Sequence, residues 1–187
     1  MDDTRILLAH GNGGRLMREL IAGIFARHLA NPLLDTDADA VTLPALDGEP
    51  MVTTDGFTVQ PLEFPGGNLG SLAVHGVVND LAVAGADPRY LTLSALIEEG
   101  LEAGVLDRLI ASFAAAARES GVAVVAGDTK VVRRGEGGGL YLSVAGIGVK
   151  RAQAKLAIES IAPGNVVLVS GPVGDHGIAV MLAREQF

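Results

Sequence analysis

The 187-residue chain has no cysteine and no tryptophan, and only two tyrosines and five phenylalanines. Without cysteine there is no disulfide, no thiolate nucleophile and no cysteine-ligated zinc on this chain. With aromatics so scarce, the core must be aliphatic, built from Val, Leu, Ile and Ala. Basic residues are short as well: 14 Lys and Arg stand against 22 Asp and Glu, a formal charge of −8. That balance lacks the basic footprint of general nucleic-acid binding. No apolar run approaches the ~20 residues of a membrane span, and the acidic start Met1-Asp2-Asp3-Thr4-Arg5 does not read as a signal peptide. These exclusions predict a protein of a reducing, cytoplasmic setting, with neither nucleic acid nor membrane as its partner.

What the chain does have is glycine, 25 residues, and a succession of patterned apolar segments. Residues 9–14, Ala-His-Gly-Asn-Gly-Gly, form a glycine-rich entry into a helix. Its marks are Leu16, Leu20 and Ile24 at four-residue spacing, with Met17, Ile21 and Phe25 beside them. Residues 30–49 are rich in Asp, Pro and Ala and read as a loop. Met51–Thr54 reads as a short strand ending at Asp55-Gly56, and Pro61 to Gly70 as a loop punctuated by Pro and Gly. A second helix is expected from about Leu69 to Ala84 and a strand over Tyr90–Ile97. A third, amphipathic helix runs through Leu106, Leu109, Ile110, Phe113 and Ala117 and is closed by Ser120-Gly121. Strands follow at Val122–Ala126 and Leu140–Val149. The order from Met51 to Val149 is β-α-β-α-β-β, an α/β (α+β) fold. Residues 150–164 read as a linker, Asn165–Ser170 as a new strand and Gly177–Phe187 as the start of a helix. The expected division is an N-terminal domain over 1–155 and the beginning of a second domain over 156–187.

Three aspartates, Asp55, Asp80 and Asp128, end or interrupt apolar elements. Asp80 stands on a helix face of small apolar residues. A carboxylate there needs a hydrogen bond, an ion pair or a metal, and a hydrogen-bonded core Asp or a cap meets that need as well as a metal does. In Val124-Val125-Ala126-Gly127-Asp128-Thr129-Lys130-Val131-Val132 an apolar run reaches a glycine and then presents a carboxylate, a hydroxyl and an amine. This places them at a strand end, where open sheets put their chemistry. Three carboxylates at element ends near a lysine suit Mg²⁺, which takes hard oxygen ligands from one or two carboxylates plus substrate phosphates. Lys130 would supply positive charge for a triphosphate. Gly11–Gly14, leading into a helix N-terminus, and Gly66-Gly67 offer backbone N–H groups to phosphates. Neither is a Walker sequence, and a plain flexible turn is the simpler account of each. His10 is a candidate phosphate or metal contact. His28 and His75 read as structural helix residues, and Glu98-Glu99-Gly100 as a solvated turn.

The motifs that carry a resemblance occur in a fixed order: Ala9-His10-Gly11-Asn12-Gly13-Gly14, Thr53-Thr54-Asp55-Gly56-Phe57, Phe64-Pro65-Gly66-Gly67-Asn68-Leu69-Gly70, Asn79-Asp80-Leu81-Ala82, Glu98-Glu99-Gly100, Gly127-Asp128-Thr129-Lys130-Val131-Val132 and Gly174-Asp175-His176-Gly177. Together they closely resemble the hydrogenase expression/formation protein E family, the carbamoyl dehydratases of nickel–iron hydrogenase maturation. That family shares a superfamily with aminoimidazole ribonucleotide synthetase, selenophosphate synthetase and thiamine-monophosphate kinase. The resemblance covers essentially the whole chain.

The resemblance implies a two-domain protein whose N-terminal domains pair as a homodimer, joining their sheets into a barrel, with ATP and Mg²⁺ in the groove beside that interface. It implies ATP-dependent dehydration of an S-carbamoyl group on the protein's own C-terminal cysteine to a thiocyanate, the source of the cyanide ligands on the hydrogenase iron. It implies Asp55, Asp80 and Asp128 as Mg²⁺ ligands, with Lys130 neutralising the triphosphate and, with Asp80, serving catalysis. It implies a nucleotide contact set of His10, Gly11, Gly13, Gly14, Gly66, Gly67, Asn79, Asp128, Thr129 and Lys130. The implied partners are a carbamoyltransferase of the maturation pathway and the iron-carrying maturation complex. The family's terminal cysteine and further nucleotide contacts lie outside this sequence, so the resemblance assigns to this polypeptide the ATP–Mg²⁺ part alone. A smaller departure is Gly56, where serine is common after the aspartate. Two other readings remain: another member of the superfamily, such as a small-molecule kinase or selenophosphate synthetase, and a non-catalytic dimerisation module. The selenophosphate enzyme commonly carries Cys or selenocysteine near its N-terminal glycine segment, where this chain has His10-Gly11-Asn12-Gly13.

Overall fold

The computed structural model describes residues 4–153 and 156–184. Four strands form the main sheet: β1 (Pro50–Phe57), β4 (Ala86–Glu98), β5 (Ala123–Val132) and β6 (Leu140–Lys150), in the order β1-β6-β4-β5. Two-residue strands β2 (Glu63–Phe64) and β3 (Gly67–Asn68) make a small hairpin. β6 lies antiparallel between β1 and β4, whereas β4 and β5 are parallel. A parallel pair needs a crossover, and the amphipathic helix α3 (Ala103–Glu119) provides it. The helix predicted from Leu69 is α2 (Leu69–Val83). The N-terminal helix α1 spans 15–29, with a π-helical middle over Ile21–Ala26.

The core lies where α2 and α3 pack on one face of the sheet. Leu106, Leu109, Ile110 and Phe113 of α3 share one buried cluster with alternate residues of β4, Leu91, Leu93, Ala95 and Ile97. Each such aliphatic side chain, taken fully out of water, stabilises the fold by ~1.5–3 kcal/mol. Gly70 lets the two helices touch: a Cβ there would sit 2.0 Å from Leu109 O. The opposite face of the sheet is open, with Val52 70% exposed and Thr54, Ser94, Tyr141 and Ser143 also exposed. Among the described residues no helix is long and apolar enough to cross a membrane.

The β-α-β-α-β-β order stands, with the hairpin as an addition. Two strands run on past their expected ends and take in site residues. β1 runs on through Asp55 and Gly56 to Phe57, because β6 pairs with it residue by residue as far as Leu142. β5 runs through Gly127, Asp128, Thr129 and Lys130 to Val132, because β4 continues beside it to Glu98. Both sets of polar residues therefore stand within strands and not beyond them. The strand expected over 165–170 is absent: those residues have no regular structure and Val166–Val169 are exposed, with no neighbouring strand to take their backbone hydrogen bonds. The last helix begins two residues earlier than expected, as α4 (Asp175–Ala183); residues 185–187 lie outside the described residues. Val180 of α4 reaches the core, and His176 meets Phe64 edge-on at 5.2 Å.

Candidate functional site

The β5 edge carries one half of the candidate site. Gly127 is required by close approach, since a Cβ there would lie 2.8 Å from Leu93 O. Thr129 is in register with the buried Ala95 and so faces the helix side; Asp128 and Lys130, opposite Ser94 and Leu96, face the open side and are exposed. Asp128 Oδ1 accepts the Thr129 N–H at 2.8 Å. The glycine-rich entry packs here: Gly11 lies on Val131, where a Cβ would come within 2.9 Å of the valine Cβ. His10 is fully buried, and its Nδ1 accepts the Leu7 N–H at 2.9 Å. Gly13 takes φ +75 and Gly14 precedes α1, whose first turn has no side-chain cap, so its leading N–H groups are available to an acceptor.

Between α1, β5 and residues 34–41 runs a cleft of about 390 Å³, lined by Phe25, Leu34 and Leu93 and, on its polar side, by Asp35, Asp39 and Asp128. Asp35 and Asp39 stand in the 30–49 stretch that is loop by sequence, and they are not among the residues its motifs single out. The available signal was the alternation Asp35, Asp37, Asp39, three carboxylates two residues apart in an otherwise small and apolar stretch.

The second half lies at the β1 edge. Asp80, in the last turn of α2, is half-buried, and Thr53 Oγ1 donates to its Oδ2 at 3.3 Å. Thr53 is in register with Gly146, itself covered by Val77 and Leu81 of α2, so Thr53 and, two residues on, Asp55 face the helix side. Asp55 Oδ1 accepts the Gly56 N–H at 2.7 Å, the same local contact that Asp128 makes with Thr129. Asn79 is exposed beside Asp80.

The expected constellation of three carboxylates near a lysine is not assembled within one chain. β6 and β4 separate β1 from β5, which is three strand spacings, roughly 14 Å, and the two halves face opposite sides of the sheet. Among the described residues no group of three or more His, Asp or Glu is placed to hold a metal. Asp55 and Asp80 lie on the same side of the sheet, Asp80 bonded to Thr53 two residues before Asp55, and two carboxylates completed by phosphate oxygens would suit Mg²⁺. Gly66 and Gly67 stand apart from Asp80. Gly66, at φ +87, lies in the β2–β3 turn and Gly67 opens β3 ahead of α2, and eleven helical residues, Leu69 to Asn79, stand before Asp80, roughly 17 Å of helix.

Glu98 is more than part of a solvated turn. Its carboxylate accepts the N–H groups of Gly135 at 2.7 Å, Gly137 at 3.2 Å and Gly139 at 2.8 Å, which pins the loop between β5 and β6. The Gly135 and Gly139 bonds hold it below the usual carboxylate range, with a further contribution from Gly137 and the Arg134 charge. His28 has the structural role expected of it, with Nε2 2.8 Å from Asp107 Oδ1 of α3.

A family model described as AIR synthase related protein, N-terminal domain, matches residues 36–150, and the chain belongs to that family. More particularly, it is similar to carbamoyl dehydratase HypE of Rhizobium leguminosarum bv. viciae, 49% identical over 181 residues that take in 97% of this chain and 52% of that protein. Among solved structures it is similar to hydrogenase maturation protein HypE in complex with ATP, at TM-score 0.92 and 44% identity, covering 97% of this chain and 54% of that one. It is also similar to a HypE–HypF complex chain, at TM-score 0.72 and 45% identity, covering 93% and 55%. The chain spans about half the length of the curated relatives it matches. The fold class and the carbamoyl dehydratase resemblance read from the motifs are thereby both borne out.

Proposed function

We propose that this chain supplies the nucleotide-binding and dimerising part of an ATP-dependent carbamoyl dehydratase of hydrogenase maturation. The observation that supports it best is the Gly127–Lys130 segment, set beside the cleft and the glycine-rich entry in a fold similar to HypE bound to ATP. Phosphoryl transfer is mainly positioning and charge neutralisation. Lys130, exposed on an edge strand, neutralises the triphosphate. Asp55 and Asp80 would hold Mg²⁺, with Asp128 as a further carboxylate, and the metal would supply positive charge to the phosphates. The N–H groups of Gly11, Gly13 and Gly14 close over the nucleotide, while Gly66 and Gly67 are kept for a more distant part of the substrate. The carbamoyl oxygen attacks the γ-phosphate, ADP leaves, and loss of inorganic phosphate with both nitrogen protons turns S-carbamoyl-cysteine into thiocyanate. The cysteine belongs to the rest of the full-length protein, whose second domain begins within 156–187.

The separation of the halves supports a shared site. A homodimer whose open sheet faces close into a barrel sets the β1 edge of one copy beside the β5 edge of the other, and it buries Val52 and Tyr141. The partners of the whole protein are a carbamoyltransferase of the HypF kind, in keeping with the HypE–HypF complex, and the iron-carrying maturation complex, in the cytoplasm. The test is Mg²⁺-dependent ATP binding by calorimetry. Lys130→Ala is expected to weaken binding at least tenfold, on the order of 1.4 kcal/mol for a lost charged contact. No binding by the wild-type chain, or binding indifferent to Lys130, would instead favour a non-catalytic dimerisation module.

A further inference from the structure

Two buried side-chain atoms lack a hydrogen-bond partner among the described residues, and they belong to two motifs that pack on one another. They are His10 Nε2 and Thr129 Oγ1. Buried polar groups are nearly always paired, so each exception calls for an explanation. The two are also chemically complementary. His10 Nδ1 lies 2.9 Å from the Leu7 N, which can only donate, and a longer 3.3 Å from the Leu7 O; the shorter contact makes Nδ1 the acceptor, which assigns the ring proton to Nε2. The Thr129 hydroxyl can accept. The two segments already pack on one another. Gly11, next to His10, lies on Val131, and Thr129 is the preceding residue on that same face of β5, in register with buried Ala95 as Val131 is with buried Ile97.

We propose that His10 and Thr129 form a latch in the nucleotide-bound protein, His10 Nε2–H donating to Thr129 Oγ1 as the 8–14 segment, already packed on β5 through Gly11 and Val131, tightens on the ligand. The bond fixes Thr129, and with it the backbone that carries Asp128 and Lys130, at the moment when Gly11, Gly13 and Gly14 meet the phosphates. His10 is then a positioning residue: its burial keeps it from the ligand, and it acts through Thr129. The latch rests on the nucleotide reading above.

The test is a double-mutant cycle in Mg²⁺–ATP affinity on this chain, measured by calorimetry with His10→Asn, Thr129→Val and the double variant. Asparagine keeps an acceptor for the Leu7 N–H and loses the Nε2 donor; valine keeps the threonine shape and loses the hydroxyl. Each single change is expected to lower affinity about tenfold, with the double variant no worse than either. Thr129→Ser and His10→Gln, which restore a hydroxyl and a donor, are expected to recover most of it. Losses that multiply to about a hundredfold in the double variant overturn the latch. So does a lowered melting temperature without nucleotide that accounts for the whole loss and is not rescued by serine. A wild-type chain that binds no nucleotide overturns the nucleotide reading and the latch together, whereas normal wild-type binding with multiplying losses overturns the latch alone.

Discussion

Thr53 and Asp80 meet where β1 passes under the last turn of α2, the hydroxyl donating to the carboxylate at 3.3 Å. This contact ties the Thr-Thr-Asp strand to the Asn-Asp helix, with Asp55 and Asp80 on the same side of the sheet. It also shows how a half-buried carboxylate is tolerated without a cation. One neutral donor accepts part of its charge, and the rest of its hydrogen-bonding capacity stays free for a ligand.

Asp80→Asn should separate folding from binding. The amide oxygen can still accept from Thr53, so the melting temperature should shift by no more than ~2–4 °C. The charge needed by Mg²⁺ is gone, and affinity for Mg²⁺–ATP should fall at least tenfold, about 1.4 kcal/mol. Equal affinities in calorimetry would remove Asp80 from the metal site.

A site shared between two copies makes a prediction that a site within one chain does not. Asp80→Asn and Lys130→Ala chains, each weak alone, should regain nucleotide sites when mixed and allowed to exchange. Half the dimers are then heterodimers with one intact site of two, so about a quarter of the wild-type sites return. Light scattering should show the unmixed chain as a dimer at micromolar concentration. A monomeric mass, or mixing without recovery, would count against the shared site.

Glu98 ties loop order to pH. Its carboxyl is held below the ordinary value by the glycine N–H groups. Its stabilising contribution is therefore complete above the unfolded-state value and lost as pH falls through the lower folded-state one. Amide exchange at Gly135, Gly137 and Gly139 should be slow near neutrality and quicken in acid beyond the change in intrinsic rate. In Glu98→Gln it should be fast throughout, with no such acid step. An acid step of wild-type size in that variant would show that another group holds the loop.

Much of this was legible in the chain. The helical recurrence of Leu106, Leu109, Ile110 and Phe113 and the apolar alternation of β4 are local patterns, and local sterics and burial turn them directly into a helix and a strand. The strand ends were not legible. Asp55, Gly56 and Gly127-Asp128-Thr129-Lys130 have low strand propensity, and only the neighbours β6 and β4 keep them extended by supplying backbone partners. Apolar content misled in the opposite direction: Val166, Val167, Leu168 and Val169 are strand-forming residues with no strand beside them.

By itself the amino-acid sequence determined the aliphatic core, the order of elements and the residue types of an anionic-ligand site, because these depend on contacts between near neighbours and on composition. The tertiary structure decided where those residues stand. Strand order places β6 and β4 between Asp55 and Lys130, and side-chain alternation sends them to opposite faces. Hydrogen-bonded pairing between strands far apart in the chain sets that geometry, and no spacing along the sequence encodes it.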